Sequence, residues 1–257
     1  MISFAGSEEN TRTLRVSFTS EATVVIPIGQ STNSFITIAP LSFETTDEAG
    51  RKTVARAKIT NNALALDSNP RPMNISFFAS RTVPPPEEAA IRFSTLSKQN
   101  QEKHVIEALK TIFPFIEGLS IEVSSGKPHL YTSIDPMREK VPVALISEGI
   151  YQLLSLLLGI ANARQGVVIV DEIENGIHHE KMSDVWKALL EFADRFKAQL
   201  FISTHSLEAI KHLQPVIQKH EGQFSLMRAE KRDGQHIVRQ FTGASFRRAI
   251  EQKIEIR

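Results

Sequence analysis

From residue 141 onward the chain alternates short apolar strands with helices, and no other feature restricts its possible folds as tightly. Ser147 stands before a long apolar helix reaching about residue 163. A strand then runs Val167 to Val170, a helix Glu180 to Phe196, a strand Gln199 to Ser203, and a further helix starts at Leu207. Such alternation predicts an α/β fold, a parallel sheet with flanking helices. Val167-Val168-Ile169-Val170 is apolar at every position, which predicts burial on both faces. Ligands of parallel sheets sit beyond the carboxyl ends of the strands. Both strands end there in polar clusters, Asp171-Glu172 after the first and Thr204-His205-Ser206 after the second.

The first half has a different character. Residues 12 to 67 alternate or run apolar and β-branched, as in RTLRVSFTS, EATVVIPIG, SFITIAPLSFE and KTVARAKIT, with turn chemistry at Thr46-Asp47-Glu48-Ala49-Gly50, and predict a meander. After NISFFASR, the triplet Pro84-Pro85-Pro86 predicts irregular backbone, and a helical segment follows with Val105, Ile106, Leu109, Ile112 and Phe113 at helical spacing. LSIEVSSGKPHLYTSI predicts a hairpin turning at Ser125-Gly126, and FSLMRAE with HIVRQFT predicts another around Arg232-Asp233-Gly234. The expected division is a β-rich lobe over 1–80, a helical segment and hairpin over 81–140, and an α/β lobe over 141–257.

Composition narrows the function classes. A hydrophobic content of 41% over 257 residues supports one large domain or a domain with a subdomain. Thirty basic against twenty-nine acidic residues leave a net charge of +1, so no global field favours DNA or an anionic membrane. The absence of cysteine excludes disulfides and thiolate chemistry and fits a reducing compartment. MISFAGSEEN carries no basic leader, and the apolar run Leu153 to Ile160 is too short to span a bilayer, so the expected location is cytoplasmic.

Three stretches carry the chemistry. A rigid strand that delivers Asp171 and Glu172 to a sheet edge suits a division of labour, one carboxylate holding Mg²⁺ through its hydration shell and the other orienting or deprotonating a water. Ser147, Glu148 and Gly149 open a helix, where a hydroxyl, exposed amides and the helix dipole favour an anion, although an ordinary N-cap has the same pattern. His205, at the tip of the neighbouring strand, is placed to donate to a phosphate oxygen or to tether its own loop.

In this order, LISEGIYQLLSLL, GVVIVDEIENGIHH and LFISTHSLEAI resemble the ABC-type ATPases of the SMC/RecF/OLD-like branch, among them small stand-alone AAA-type ATP-binding members. The resemblance covers residues 145 to 210 and implies a P-loop NTPase fold and ATP hydrolysis with Mg²⁺. It implies that Asp171 is the Walker B aspartate supporting the metal, Glu172 the general base or water-orienting residue, and His205 the sensor of the γ-phosphate. Ser147, Glu148 and Gly149 correspond to the signature. Asn175 and Gly176, in the run Glu174 to His178, correspond to the loop that crosses the interface of a head-to-tail homodimer enclosing two nucleotides. An effector protein partner is implied as well. DNA remains an analogy that the charge balance does not support.

One part of that machinery has no counterpart. A phosphate-cradling loop requires G-x-x-x-x-G-K-[ST]. The Gly126-Lys127 pair has Ile121 in place of the first glycine and Pro128 in place of the hydroxyl residue. The expectation is that the missing strand–loop–helix unit precedes these residues, with supply by another polypeptide or loss of nucleotide binding as alternatives. Gln99 and Gln101 are weak candidates for a glutamine loop. Two further readings stay open: an interaction module of the same fold without catalysis, and a divalent-metal hydrolase using Asp171, Glu172, Glu174 and His178, with His179 adjacent but pointing elsewhere on a helix.

Overall fold

The computed structural model describes residues 2–5, 13–18, 24–27, 35–38, 41–46, 50–60, 63–66, 74–232 and 235–252. The chain divides into two compact units, 1–72 and 73–257.

The first unit is built from strands β1 (Ile2–Ala5), β2 (Thr13–Phe18), β3 (Val24–Pro27), β4 (Phe35–Ile38), β5 (Leu41–Thr46), β6 (Lys52–Thr60) and β7 (Ala63–Leu66). β1, β2, β5, β6 and β7 form one antiparallel sheet in that order, and β3 and β4 pair as a separate ribbon. The strands predicted over residues 12 to 67 are present where the chain is described, but they do not form a simple meander, since β2 pairs with β5 and the β3–β4 ribbon stands apart. Gly50 takes φ +74° ahead of β6, a backbone setting that favours glycine. The turn residues 47 to 49 lie outside the described residues.

The second unit holds the parallel sheet. In chain order it contains β8 (Ile75–Phe78), α1 (Pro86–Ser97), α2 (Glu102–Ile112), β9 (Ile116–Ser124), β10 (Lys127–Ile134), β11 (Val141–Pro142), α3 (Glu148–Asn162), β12 (Val167–Val170), α4 (Met182–Phe196), β13 (Gln199–Ile202), α5 (Leu207–Ile217), β14 (Ser225–Arg232), β15 (Gln235–Thr242) and α6 (Gly243–Glu251). β13, β12 and β8 lie side by side and all run the same way. β8 thus belongs to the α/β sheet.

α3 is the centre of the core. It is apolar around its whole circumference, as a helix enclosed on all sides must be, and Leu153, Leu154, Leu156, Leu157 and Leu158 are fully buried. Gly159 lets the Phe78 ring lie against the helix, because a Cβ there would collide with that ring. α4 packs beside it and α5 packs on α4, the Trp186 indole donating to the Ala209 carbonyl at 2.9 Å across that contact.

Two expectations are corrected. The proline triplet does not keep the chain irregular: Pro86 is the first residue of α1, since an N-terminal helical position has no intrahelical use for the missing N–H and proline's φ is already helical. The continuous apolar run of β12 does not bury both faces. Val168 and Val170 are buried with Phe78, but Ile169 faces out and pairs in register with Phe77 of β8 and Phe201 of β13. That row is 62% exposed at Phe77, 37% at Ile169 and 50% at Phe201, with Ile75 beside it. In the 73–257 unit no described element covers this second face. β9 and β10 form the expected hairpin, turned by Ser125 and Gly126 with φ +51° and +79°, and β11 adds to β10 as a third antiparallel strand. No helix among the described residues is long and apolar enough to cross a membrane.

Tyr151 ties α3 to the turn after β8, its buried hydroxyl donating to the Pro84 carbonyl at 3.0 Å. Burial pushes its pKa up from 10.0 to about 12. The folded chain holds that proton where the unfolded chain has released it, so stability falls as pH rises from the unfolded value through the folded one. Tyr151→Phe is expected to cost about 1 kcal/mol at neutral pH through the lost hydrogen bond. It should also flatten the loss of stability on the alkaline side of pH 10, as read by urea unfolding across that range.

Candidate functional site

The carboxyl ends of β8, β12 and β13 lie together because the strands are parallel and in register. Past β12 the ladder continues for one residue on each side, Asp171 N–H donating to Phe78 O at 2.9 Å and Ser203 N–H to Val170 O at 2.9 Å. The chain then turns sharply. Glu172 has φ +53°, a left-handed setting that a non-glycine residue holds only where its surroundings fix it, and fully buried Ile173 anchors the turn.

Hydroxyl and amide groups hold both carboxylates. Ser203 Oγ donates to Asp171 Oδ1 at 2.5 Å and accepts from the Glu172 N–H at 2.9 Å. Ser80 Oγ donates to Glu172 Oε2, and the Asn175 side-chain amide donates both to that oxygen at 2.9 Å and to Ser80 Oγ at 2.8 Å. The Ser80 and Asn175 hydrogen bonds hold the Glu172 carboxyl below its ordinary pKa against a smaller opposing effect of desolvation, and the charges of His205 and Arg81 act in the same lowering direction. His205 Nδ1 lies 3.5 Å from Glu172 Oε1 and 3.2 Å from Glu174 Oε1, and the His205 N–H donates to Glu174 Oε1 at 3.0 Å. Asp171, Glu172 and His205 therefore share one rim.

Ser147 caps α3: its backbone is extended, and its Oγ accepts from the Ile150 N–H at 3.2 Å. Ser147 and Glu148 are exposed. Gly149 touches the loop that follows β12, since a Cβ on it would collide with the Gly176 carbonyl oxygen. Gly176 itself has φ +69° and sits against Gln152 and Glu148. The turn of Ser147, Glu148 and Gly149 is thus joined to Asn175 and Gly176, and through Asn175 to Glu172.

The histidine pair is arranged otherwise than expected. His178 precedes a 3-10 turn over His179–Lys181, and the two rings lie side by side with centroids 4.4 Å apart at 32°. They line a cleft of about 280 Å³ with Glu174, Ser206, Glu208 and His212. Among the described residues no three His, Asp or Glu side chains form a group that could hold a metal ion. Asp171, exposed and engaged by Ser203 through Oδ1, is the carboxylate at this rim that could hold Mg²⁺. One carboxylate of this kind suits a hard cation that keeps most of its waters.

Two residues of the rim escaped the sequence: Ser80 and Arg81, just past β8. The signal was present, since ISFF ends in a polar Ser-Arg pair as the other two strands end in polar clusters, but NISFFASR continues the β-rich half and gave no sign of pairing with β12. Gln101 lies at the other end of the sheet, its Oε1 accepting from Arg164 at 2.8 Å while Asn74, ahead of β8, donates to the Arg164 carbonyl. Gln99 belongs to the turn that closes α1.

A family model described as "AAA domain, putative AbiEii toxin, Type IV TA system" matches residues 31–211. An ATP/GTP phosphatase of Helicobacter pylori is 25% identical over 150 residues, 56% of this chain and 40% of that protein, so the chain spans well under half of that relative's length. Among solved structures, an SMC head bound to the C-winged helix domain of ScpA aligns with a TM-score of 0.47 at 12% identity over 91% of this chain and 74% of that one. The SMC head domain from Thermotoga maritima aligns with a TM-score of 0.43 at 10% identity over the same shares, 91% and 74%.

Because Ser147 closes the first turn of α3, Ser147→Ala is expected to cost about 1 kcal/mol of stability. Ser147→Asp, which keeps a capping oxygen, should restore it, as measured by urea unfolding of the two variants against the wild type.

Proposed function

From a chain that belongs to this AAA-domain family, we propose an ATP-hydrolysing switch in which these residues supply one part of a composite nucleotide site. The observation that carries the reading is the shared rim: Asp171, Glu172 and His205 stand on neighbouring parallel strands, joined through Asn175 and Gly176 to the turn of Ser147, Glu148 and Gly149.

In this reading Asp171 holds Mg²⁺. When bound, the metal neutralises charge on the phosphates, and ATP supplies the group to be transferred. Glu172 is ionised, fixed at one oxygen by Ser80 and Asn175, and kept a weak base by those bonds. That suits orienting a water more than removing its proton early. His205, restrained by Glu174, extends toward the place of the terminal phosphate. Exposed Ser147 and Glu148 with Gly149, Asn175 and Gly176 face a nucleotide held by a second copy, so that hydrolysis reports on association in a head-to-tail dimer.

The phosphate-cradling loop is not among these 257 residues. The open face supports the view that a further unit completes the site. β13 is an edge strand next to His205, and the Phe77–Ile169–Phe201 row is apolar and uncovered within its unit. A strand added in parallel to β13, followed by a phosphate loop and a helix laid across that row, would bring backbone amides to the rim and bury the row. Burial at the usual ~25 cal/mol per Å² makes each large side chain worth about 1.5–3 kcal/mol. A partner-binding module without turnover is the second reading, favoured by the same missing loop.

These 257 residues alone are expected to bind ATP·Mg²⁺ weakly, and tight binding by calorimetry would remove the composite site. In a form completed by the phosphate loop, Glu172→Gln should hold ATP-bound dimers on size-exclusion chromatography with light scattering, and Ser147→Arg should prevent them. His205→Ala should lower turnover on the order of a hundredfold with the fold intact. Unchanged turnover in Glu172→Gln would overturn the assignment of Glu172.

A further inference from the structure

The two loops that grip Glu172 are both seated on the first turns of one helix. Ser80 belongs to the turn after β8, whose Pro84 carbonyl accepts from the Tyr151 hydroxyl at 3.0 Å. Asn175 belongs to the turn after β12, whose Gly176 carbonyl lies against Gly149 so closely that no Cβ fits, with Gln152 on its other side. Gly149, Tyr151 and Gln152 are all within the first turns of α3. The grip itself is a closed ring: Ser80 Oγ donates to Glu172 Oε2, and the Asn175 amide donates to the same oxygen at 2.9 Å and to Ser80 Oγ at 2.8 Å. Only the –NH₂ end of an asparagine can face an ionised carboxylate and a donating hydroxyl together, so the ring has one chemical orientation. With Oε2 fixed at two points the carboxylate plane is set, and Oε1 is left toward His205 at 3.5 Å.

We infer that Ser80 and Asn175 are positioning residues for the Glu172 carboxylate, and that the turn opening α3 sets where they stand. The helix carries the exposed Ser147 and Glu148 at its start, so whatever binds that turn displaces Gly149, then Gly176 and Asn175, and thereby reorients Glu172 without touching it. The path runs through backbone contact and three hydrogen bonds, each of which a single substitution removes. Its bearing on hydrolysis rests on the ATPase reading; the linkage itself does not.

The test uses the full chain, ¹⁵N-labelled and without nucleotide, and follows the side-chain amide pair of Asn175, assigned by its loss in Asn175→Asp. In the wild type that pair is expected at a shifted position and protected from solvent exchange, because both protons are bonded. Ser80→Ala should return it toward the position of free asparagine amides with loss of protection. Ser80→Thr, which retains the hydroxyl, should keep it. Gly149→Ala, which touches no member of the ring and reaches it only through the Gly176 carbonyl, should move it as well. If the pair is the same in Ser80→Ala as in the wild type, the clamp is overturned. Should Gly149→Ala move only resonances of α3, the linkage is overturned. A general loss of folding in either variant would appear across the whole spectrum, and the Ser80→Thr comparison then decides the clamp alone. Because no nucleotide is present, a chain that never hydrolyses ATP would fail the functional proposal and leave this result standing.

Discussion

The common direction of three strands is the constraint on which the rest depends. Because β8, β12 and β13 are parallel and in register, their polar endings meet at one edge although they are separated by about ninety and thirty residues of chain. An antiparallel arrangement of the same strands would send Ser80 or His205 to the opposite edge. The direction is enforced by connection and packing. Each strand is followed by helical chain that returns across the sheet, and α3, apolar on every side, can be buried only between the sheet and the helices around it. The core is thus what brings the three strand ends to one rim.

Among the described residues of the 73–257 unit, the sheet is covered on one face only. Helix cover buries Phe78, Val168 and Val170, while Phe77, Ile169 and Phe201 form a row across the other side. A parallel sheet ordinarily has both faces covered, since strands of this composition gain most of their stability from burial on each side. An aligned row of three large side chains on successive strands differs from scattered surface hydrophobics. It has the spacing a helix would need, and it adjoins the edge strand nearest His205. In the proposed reading, one added strand–loop–helix unit would both supply the phosphate loop and cover this row.

What the sequence made legible was local. The N-cap at Ser147, the full helix behind it, the Ser125-Gly126 turn, and the strand ending at Asp171 follow from composition within a few residues, and the α/β architecture follows from their alternation. Pairing was not legible. ISFF could be read as another strand of the β-rich half, because nothing in four apolar residues names a partner ninety residues later, and with its place went Ser80 and Arg81. VVIV has no period, so it could not say that Ile169 would face out. Pro86 reads as an interruption in the sequence yet opens α1, because proline's effect depends on whether it stands at the start or the middle of a helix, a matter of one or two positions. Helical spacing would point His178 and His179 apart, but the 3-10 turn over His179–Lys181 sets their rings side by side. Of the candidate residues, those within the motifs could be named; how Ser203 and Ser80 hold them could not.

The choice of neutral groups to hold the carboxylates has its own logic. Asp171, Glu172 and Glu174 lie within four positions of one another, and their mutual repulsion has to be relieved for the turn to form. A lysine or arginine in contact would do this by cancelling the charge, and would compete with any cation brought to the site. Ser203, Ser80 and Asn175 instead donate hydrogen bonds that stabilise the ionised form while leaving the negative charge in place. His205 stands within ion-pairing distance of both Glu172 and Glu174, and it is exposed. The rim therefore stays electrostatically open toward a divalent ion and closed in geometry. That combination is what a site needs if phosphoryl transfer is to depend on positioning and charge rather than on covalent chemistry by the protein.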